Sequence, residues 1–111
     1  MNPGHATAAP RFGRSTRFSL TPAGRSAEAS YRSGIVASRA QPGRASFDAA
    51  RSAWATSLGL EPDDGAYLGE LRLGAVKLSK VVAALMVCGK RQVDATAAMG
   101  RLLDAGLVLR P

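Results

Sequence analysis

Few side chains in this chain of 111 residues have the chemistry of a catalyst. It has one histidine, His5, and one cysteine, Cys88. A nucleophile–imidazole triad needs a positioned histidine, and His5 lies in the N-terminal stretch. A HExxH site needs two histidines, and a structural zinc cluster needs several thiolates or imidazoles. Counting excludes these arrangements, and one cysteine excludes an intrachain disulfide. The adjacent acids Asp63 and Asp64 sit in Glu61-Pro62-Asp63-Asp64-Gly65. That composition reads as a turn rather than a general acid/base pair. Glu70, Asp94 and Asp104 fall on different elements and belong to solvated faces. No P-loop or Rossmann glycine pattern is present. The expectation is a protein with no catalytic residues, no metal and no cofactor: not an enzyme.

Chemistry directed at polyanions is what remains. Lys plus Arg number 15 against 8 Asp plus Glu, a net charge of +7 and a pI near 10.8. Such a balance favours nucleic acid first and an anionic membrane surface second. The longest unbroken apolar run, Val81 to Cys88, is far shorter than the roughly 20 residues of a membrane span, so no membrane partner is expected. The charge is unevenly placed. Residues 1–60 carry eight arginines, no lysine and two acids, net +6, whereas residues 61–111 carry net +1. Arg25, Arg32 and Arg39 recur every seventh position, which would align them on one helix face. They read either as a solvated face or as a stripe that tracks phosphates.

Burial potential divides the chain differently. Of 24 apolar residues in the first 60, 13 are alanine, whereas only eight of the 27 in the remainder are. Large side chains supply most burial energy. Two regions are therefore expected: a basic N-terminal arm over 1–43, with a strand and a helix in it, and a core over 44–111. Met1 to Pro10 lacks the apolar stretch of a secretory signal. The Arg- and Ser-rich, acid-poor residues 1–60 would also describe an organelle transit peptide.

The elements follow from periodicity. Thr16-Arg17-Phe18-Ser19-Leu20 alternates as a short strand. Thr21 and Pro22 start a helix reaching about Ala40, weakened at Gly34. Gln41-Pro42-Gly43 breaks the chain. Ser46 caps a helix over about 46–58 with Phe47, Ala50, Trp54 and Leu58 on one side. Trp54 is expected in the core. Tyr67 to Leu73 reads as a strand from its Leu71/Leu73 alternation, with a short helix as the other reading. A helix over Leu78 to Cys88 turns Leu78, Val81, Val82, Leu85 and Met86 inward, buries Cys88, leaves Lys77 and Lys80 in solvent and stops at Gly89. A last helix spans about 91–105, burying Ala95, Met99 and Leu102. Gly106 ends it, and Leu107 to Arg110 closes as a strand. Trp54, Leu78, Leu85, Met99 and Leu102 should be buried together.

This order resembles the core of a winged helix-turn-helix domain. The stretch from Arg91 to Val108, ending Leu103-Asp104-Ala105-Gly106-Leu107-Val108, is similar to the recognition helix and first wing strand of bacterial winged-helix regulators. The resemblance covers about residues 46–110. A second segment, Arg14-Ser15-Thr16-Arg17-Phe18-Ser19-Leu20-Thr21-Pro22-Ala23-Gly24-Arg25, resembles the outer wing strand and following helix start of MarR- and PadR-type regulators. There it follows the Ala-Gly-Leu-Val segment, whereas here it precedes it. Two arrangements fit: a wing strand supplied from the N-terminus in a permuted order, or residues 1–40 as the remnant of a preceding winged helix. The first predicts that Phe18 and Leu20 lie alongside Val108 and Leu109.

The resemblance implies a mainly α fold with a small β-wing and a role in transcription regulation. It implies that the exposed side of helix 91–105 enters the major groove of duplex DNA. Its outward positions would be Lys90, Arg91, Gln92, Asp94, Thr96, Ala97, Gly100 and Arg101. Gln92 would pair with adenine, Thr96 would touch a thymine methyl or a phosphate, and Arg101 would reach the backbone. Arg11, Arg14 and Arg17 would add sequence-independent phosphate contacts. The expected partner is double-stranded DNA, bound by a homodimer, in a cytoplasmic, nucleoid-associated protein that regulates transcription or serves as a plasmid or phage accessory factor. Ala97, Ala98 and Gly100 make the reading face small and smooth, which equally suits helix–helix contact. The alternative is thus a non-enzymatic protein-interaction adaptor with a winged-helix core and a basic arm. A basic RNA- or ribosome-associated protein is a third reading.

Overall fold

Phe18 and Leu20 are both buried, and the strand that carries them, β1 (Arg17–Leu20), is the middle strand of an antiparallel sheet. The computed structural model describes residues 12–40 and 44–111. His5, Arg11, the Met1 to Pro10 stretch and the Gln41-Pro42-Gly43 break lie outside the described residues. β1 pairs on one side with β2 (Val76–Lys77), setting Arg17 opposite Lys77 and Phe18 opposite Val76. On its other side it pairs with β3 (Val108–Leu109), setting Leu20 opposite Val108 and Ser19 opposite Leu109. The expected partnership of residues 16–20 with the closing strand is present. Phe18 itself faces Val76.

Among the described residues, five α-helices accompany the sheet: α1 (Pro22–Ser38), α2 (Arg44–Leu58), α3 (Asp64–Glu70), α4 (Leu78–Leu85) and α5 (Gln92–Asp104). The fold is mainly helical with a small three-stranded antiparallel sheet. α1 starts where Thr21 and Pro22 predict. The Thr21 hydroxyl accepts from the Gly24 amide at 3.0 Å and donates to the Gly106 carbonyl at 2.7 Å. The Thr21 amide donates to the Leu107 carbonyl at 3.1 Å, so the helix start is stitched to the end of α5. Gly24 is required here, because a Cβ would lie 1.8 Å from the Leu107 carbonyl oxygen. α1 runs through Gly34 without a break. One glycine in a long helix costs roughly 1 kcal/mol, less than packing on α2 returns. Trp54 joins the two helices, its indole N–H donating to the Ala27 carbonyl at 2.9 Å and its ring meeting Tyr31 edge-on.

Four other expectations are corrected. α2 begins at Arg44, so Ser46 lies inside the helix rather than capping it. Tyr67 to Leu73 is not a strand: α3 carries Tyr67 and Leu68, with Leu71 as its cap. Tyr67, Leu68 and Leu71 form one buried helical face, while Leu73 is 93 % exposed. The alternation of Leu71 and Leu73 is thus not a sheet signal, and the strand lies later, at Val76–Lys77. Met86 and Cys88, expected inside, are exposed. α4 ends at Leu85, and Met86–Cys88 tighten into a 3-10 turn that rotates both side chains outward before Gly89, at φ 80°. Gly100, expected on the outer side of α5, is buried. The predicted cluster of Trp54, Leu78, Leu85, Met99 and Leu102 is buried in one core, joined by Phe18, Leu20 and Tyr67.

Candidate functional site

Two charged regions stand out, built on different elements. The first is a rim where β1, β2 and α4 meet. A tight turn over residues 13–16, closed by the Thr16 amide on the Gly13 carbonyl at 3.0 Å, leads into β1. Its carbonyls then reach the first amides of α4, Leu78 onto Thr16 at 2.8 Å and Ser79 onto Arg14 at 2.9 Å. These bonds occupy two of the orphan donors of a helix start that has no side-chain cap. They also hold Arg14 at the beginning of α4. Inward Phe18 forces its neighbour Arg17 outward, since strand side chains alternate. Arg17 stands opposite Lys77 across the antiparallel pair. Lys80 follows three positions after Lys77, outside the apolar stripe of Leu78, Val81 and Leu85. Arg14, Arg17, Lys77 and Lys80 are all exposed, and none forms an ion pair among the described residues. Arg17, Lys77 and Lys80 line a groove of about 510 Å³ together with Glu70 and Leu73.

The second region is the seam between α3 and α5. Asp64, in the first turn of α3, is fully buried. Arg101 of α5 holds it with a two-pronged contact, both hydrogen bonds at 2.8 Å, and the Glu61 amide adds a third at 3.0 Å. The neighbouring Asp63 accepts from Arg51 of α2 and from Lys90 at the entrance to α5. The Lys90 hydrogen bond, with the charges of Lys90 and Arg51, holds the Asp63 carboxyl below its ordinary value, against the opposing effect of burial. Asp94 accepts from the Arg91 amide at 2.9 Å, closing the helix start, and that bond lowers its pKa. Asp64 in turn raises the pKa of Arg101.

Arg14 and Arg17 therefore stand together, and the structure adds Lys77 and Lys80 beside them. On α5, Arg91 and Gln92 are exposed, Thr96 and Ala97 are half-buried, and the apolar Val93 is 60 % exposed. Lys90, Asp94 and Arg101 are occupied by the contacts just described. Only the solvent position of Lys77 and Lys80 was legible in the sequence. The place of Lys77 opposite Arg17 depended on a strand expected elsewhere. Among the described residues, no group of three or more His, Cys, Asp or Glu side chains is placed to hold a metal ion. No helix among them is long and apolar enough to cross a membrane. Comparison with protein-family models, with curated proteins and with solved structures finds no match to the chain.

Proposed function

We propose that this chain is a winged helix-turn-helix protein with its central wing strand supplied from ahead of the helices, and that it binds duplex DNA without catalysis. The element order supports the first part. α3, β2, α4, α5 and β3 follow one another as in the resemblance, and β1 lies between β2 and β3, antiparallel to both. The observation that carries the second part is the rim. Four exposed cations without acidic partners converge at the start of α4, while the cations of the seam are already neutralised. A row of exposed cations without ion pairs among the described residues suits a phosphate backbone. Gln92 and Thr96 are the α5 side chains left to meet base edges, with Arg91 ahead of them paired to Asp94 at 3.5 Å, so sequence preference should be modest. Two copies on paired half-sites, acting in transcription on the nucleoid, complete this reading.

The test is a salt titration of duplex binding by the full chain. Replacing Arg14, Arg17, Lys77 and Lys80 with alanine should reduce the slope of log K against log salt by up to about 0.9 for each phosphate no longer neutralised. An unchanged slope overturns the assignment. Sedimentation with and without duplex reads the number of copies. The adaptor reading draws on one specific observation: the apolar Val93 of α5 is 60 % exposed, with the small, half-buried Ala97 one turn further on. Absence of any duplex binding by the intact chain at low salt would favour it.

A further inference from the structure

Tyr67 is 2 % exposed, and its hydroxyl has no hydrogen-bond partner among the described residues. It is the only buried side-chain polar atom among the described residues in that condition. A buried phenol that loses its hydration costs free energy unless a hydrogen bond replaces it, so a donor or acceptor that reaches this hydroxyl gains by doing so. Tyr67 lines a cavity of about 200 Å³ between the start of α3 and one flank of α5. Glu61, Asp63, Asp64, Asp94 and Arg101 share the lining, together with Lys90. Four carboxylates against two cations make the lining acidic on a chain that is otherwise strongly basic.

Both oxygens of Asp64 are taken by Arg101, and both oxygens of Asp63 by Arg51 and Lys90. The cations of the lining are therefore spent on Asp63 and Asp64. Asp94 uses one oxygen, Oδ2, for both the amide and the guanidinium of Arg91 at the start of α5. Its Oδ1, the Glu61 carboxylate and the Tyr67 hydroxyl receive no hydrogen bond among the described residues. Burial, together with the charges of Asp94, Asp64 and Asp63, pushes the pKa of that hydroxyl up to about 12. The spare capacity is thus mostly acceptor, and it carries negative charge.

We propose that this cavity binds a primary alkylammonium group, held by Asp94, Glu61 and the Tyr67 hydroxyl. An ammonium head has three N–H donors and no acceptor, which matches the three groups left over. A charge-assisted contact to Asp94 supplies most of the affinity, and the neutral phenol supplies direction. A free small amine and the lysine head of a second chain share this chemistry. None of the four rim cations lines this cavity, but Asp94, Ala97 and Arg101 of α5 do, so it flanks the helix face proposed to meet base edges.

Calorimetric and amide-NMR titrations of the full chain, made at constant ionic strength, test the assignment. The probes are methylammonium, Nα-acetyl-lysine methylamide and, as a cation without N–H donors, tetramethylammonium. Saturable binding of either primary amine, with amide shifts centred on the starts of α3 and α5, is expected. Tighter binding of the lysine derivative would assign the natural ligand to a chain rather than a metabolite. Tyr67→Phe should weaken binding roughly tenfold with an unchanged or higher unfolding midpoint, because it deletes an unpaired hydroxyl. Asp94→Asn should weaken it at least as much. Equal response to tetramethylammonium, full affinity in Tyr67→Phe, or no saturable binding of either amine would overturn the proposal.

Discussion

The rim and the seam carry similar numbers of cations and treat them in opposite ways. At the seam, Arg51, Lys90 and Arg101 each meet an aspartate, and one of these, Asp64, has no contact with water. At the rim, Arg17 stands opposite another cation, Lys77. Like charges directly opposite across an antiparallel pair are destabilising. The seam thus spends its charge on joining helices, whereas the rim keeps its charge at a cost to the fold. Net charge alone could not tell these uses apart. Position relative to acids does.

The largest effect that separates the two regions should be on stability. Arg101→Ala strands the buried Asp64 carboxylate and should lower unfolding free energy by about 3 kcal/mol, the part-exposed guanidinium keeping the loss from the upper end of the range. Denaturant titration reads it, and a loss below about 1 kcal/mol would mean that the seam is no more structural than a surface pair. Duplex binding per folded molecule should keep its salt slope in this variant.

The rim should respond in the reverse sense. The pair Arg17→Ala and Lys77→Ala should flatten the salt slope of duplex binding by up to about 1.8 while leaving the unfolding midpoint nearly unchanged. Loss of folding in that variant would erase the contrast. Charge reversal sharpens it. Lys77→Glu turns a like-charged cross-strand pair into an opposite one, and should raise stability by roughly 0.5 kcal/mol while weakening DNA binding.

Two titrations are smaller in effect and probe the seam alone. The pKa of Asp63 is lowered by its hydrogen bond from Lys90, so its contribution to stability is present above the ordinary carboxylate range and is lost as pH falls through the depressed folded value. Asp63→Asn should therefore show a shallower loss of stability between about pH 5 and 2 than the parent chain. Tyr67 shifts upward, to about 12 from 10.0, so it disfavours unfolding until the unfolded phenol ionises, and that contribution is lost as pH rises above 10. Ultraviolet titration should show one of the two tyrosines ionising late. A single transition near 10 for both would place Tyr67 in an ordinary solvated setting.

How much of this was legible in the sequence depends on how far away the deciding partner lies. The start of α1 was legible because Thr21 and Pro22 act within one turn. The heart of α5 was legible because Ala95, Met99 and Leu102 repeat at the helical period. The pairing of β1 with β3 came from a family pattern, since alternation alone names no partner. α3 reads as a strand because Leu71 and Leu73 alternate, and only tertiary packing shows that Leu73 lies in solvent. Asp64 was the least legible residue. In Pro62-Asp63-Asp64-Gly65 a turn former is the local expectation. Its burial rests on Arg101, 37 positions further on, which no window around residue 64 contains. Cys88 and Met86 lie outside against expectation because one 3-10 turn redirects a stripe that is continuous in the sequence.

The stitching of Thr21 to Gly106, 85 positions apart, has a consequence for how the chain is made. Synthesis runs from the N-terminus, so β1 leaves the ribosome long before β3 exists. Until residues 108 and 109 emerge, Phe18 and Leu20 belong to a strand with one edge unmet and an incomplete core beneath it. Helices α1 and α2 can pair early, through contacts close in sequence, but the sheet can close only as the last described strand is released. Such long-range closure slows folding and prolongs exposure of a sticky edge. The nascent chain should therefore gain protease resistance in two stages, with the helical pair first and β1 only after Leu109 has cleared the exit tunnel.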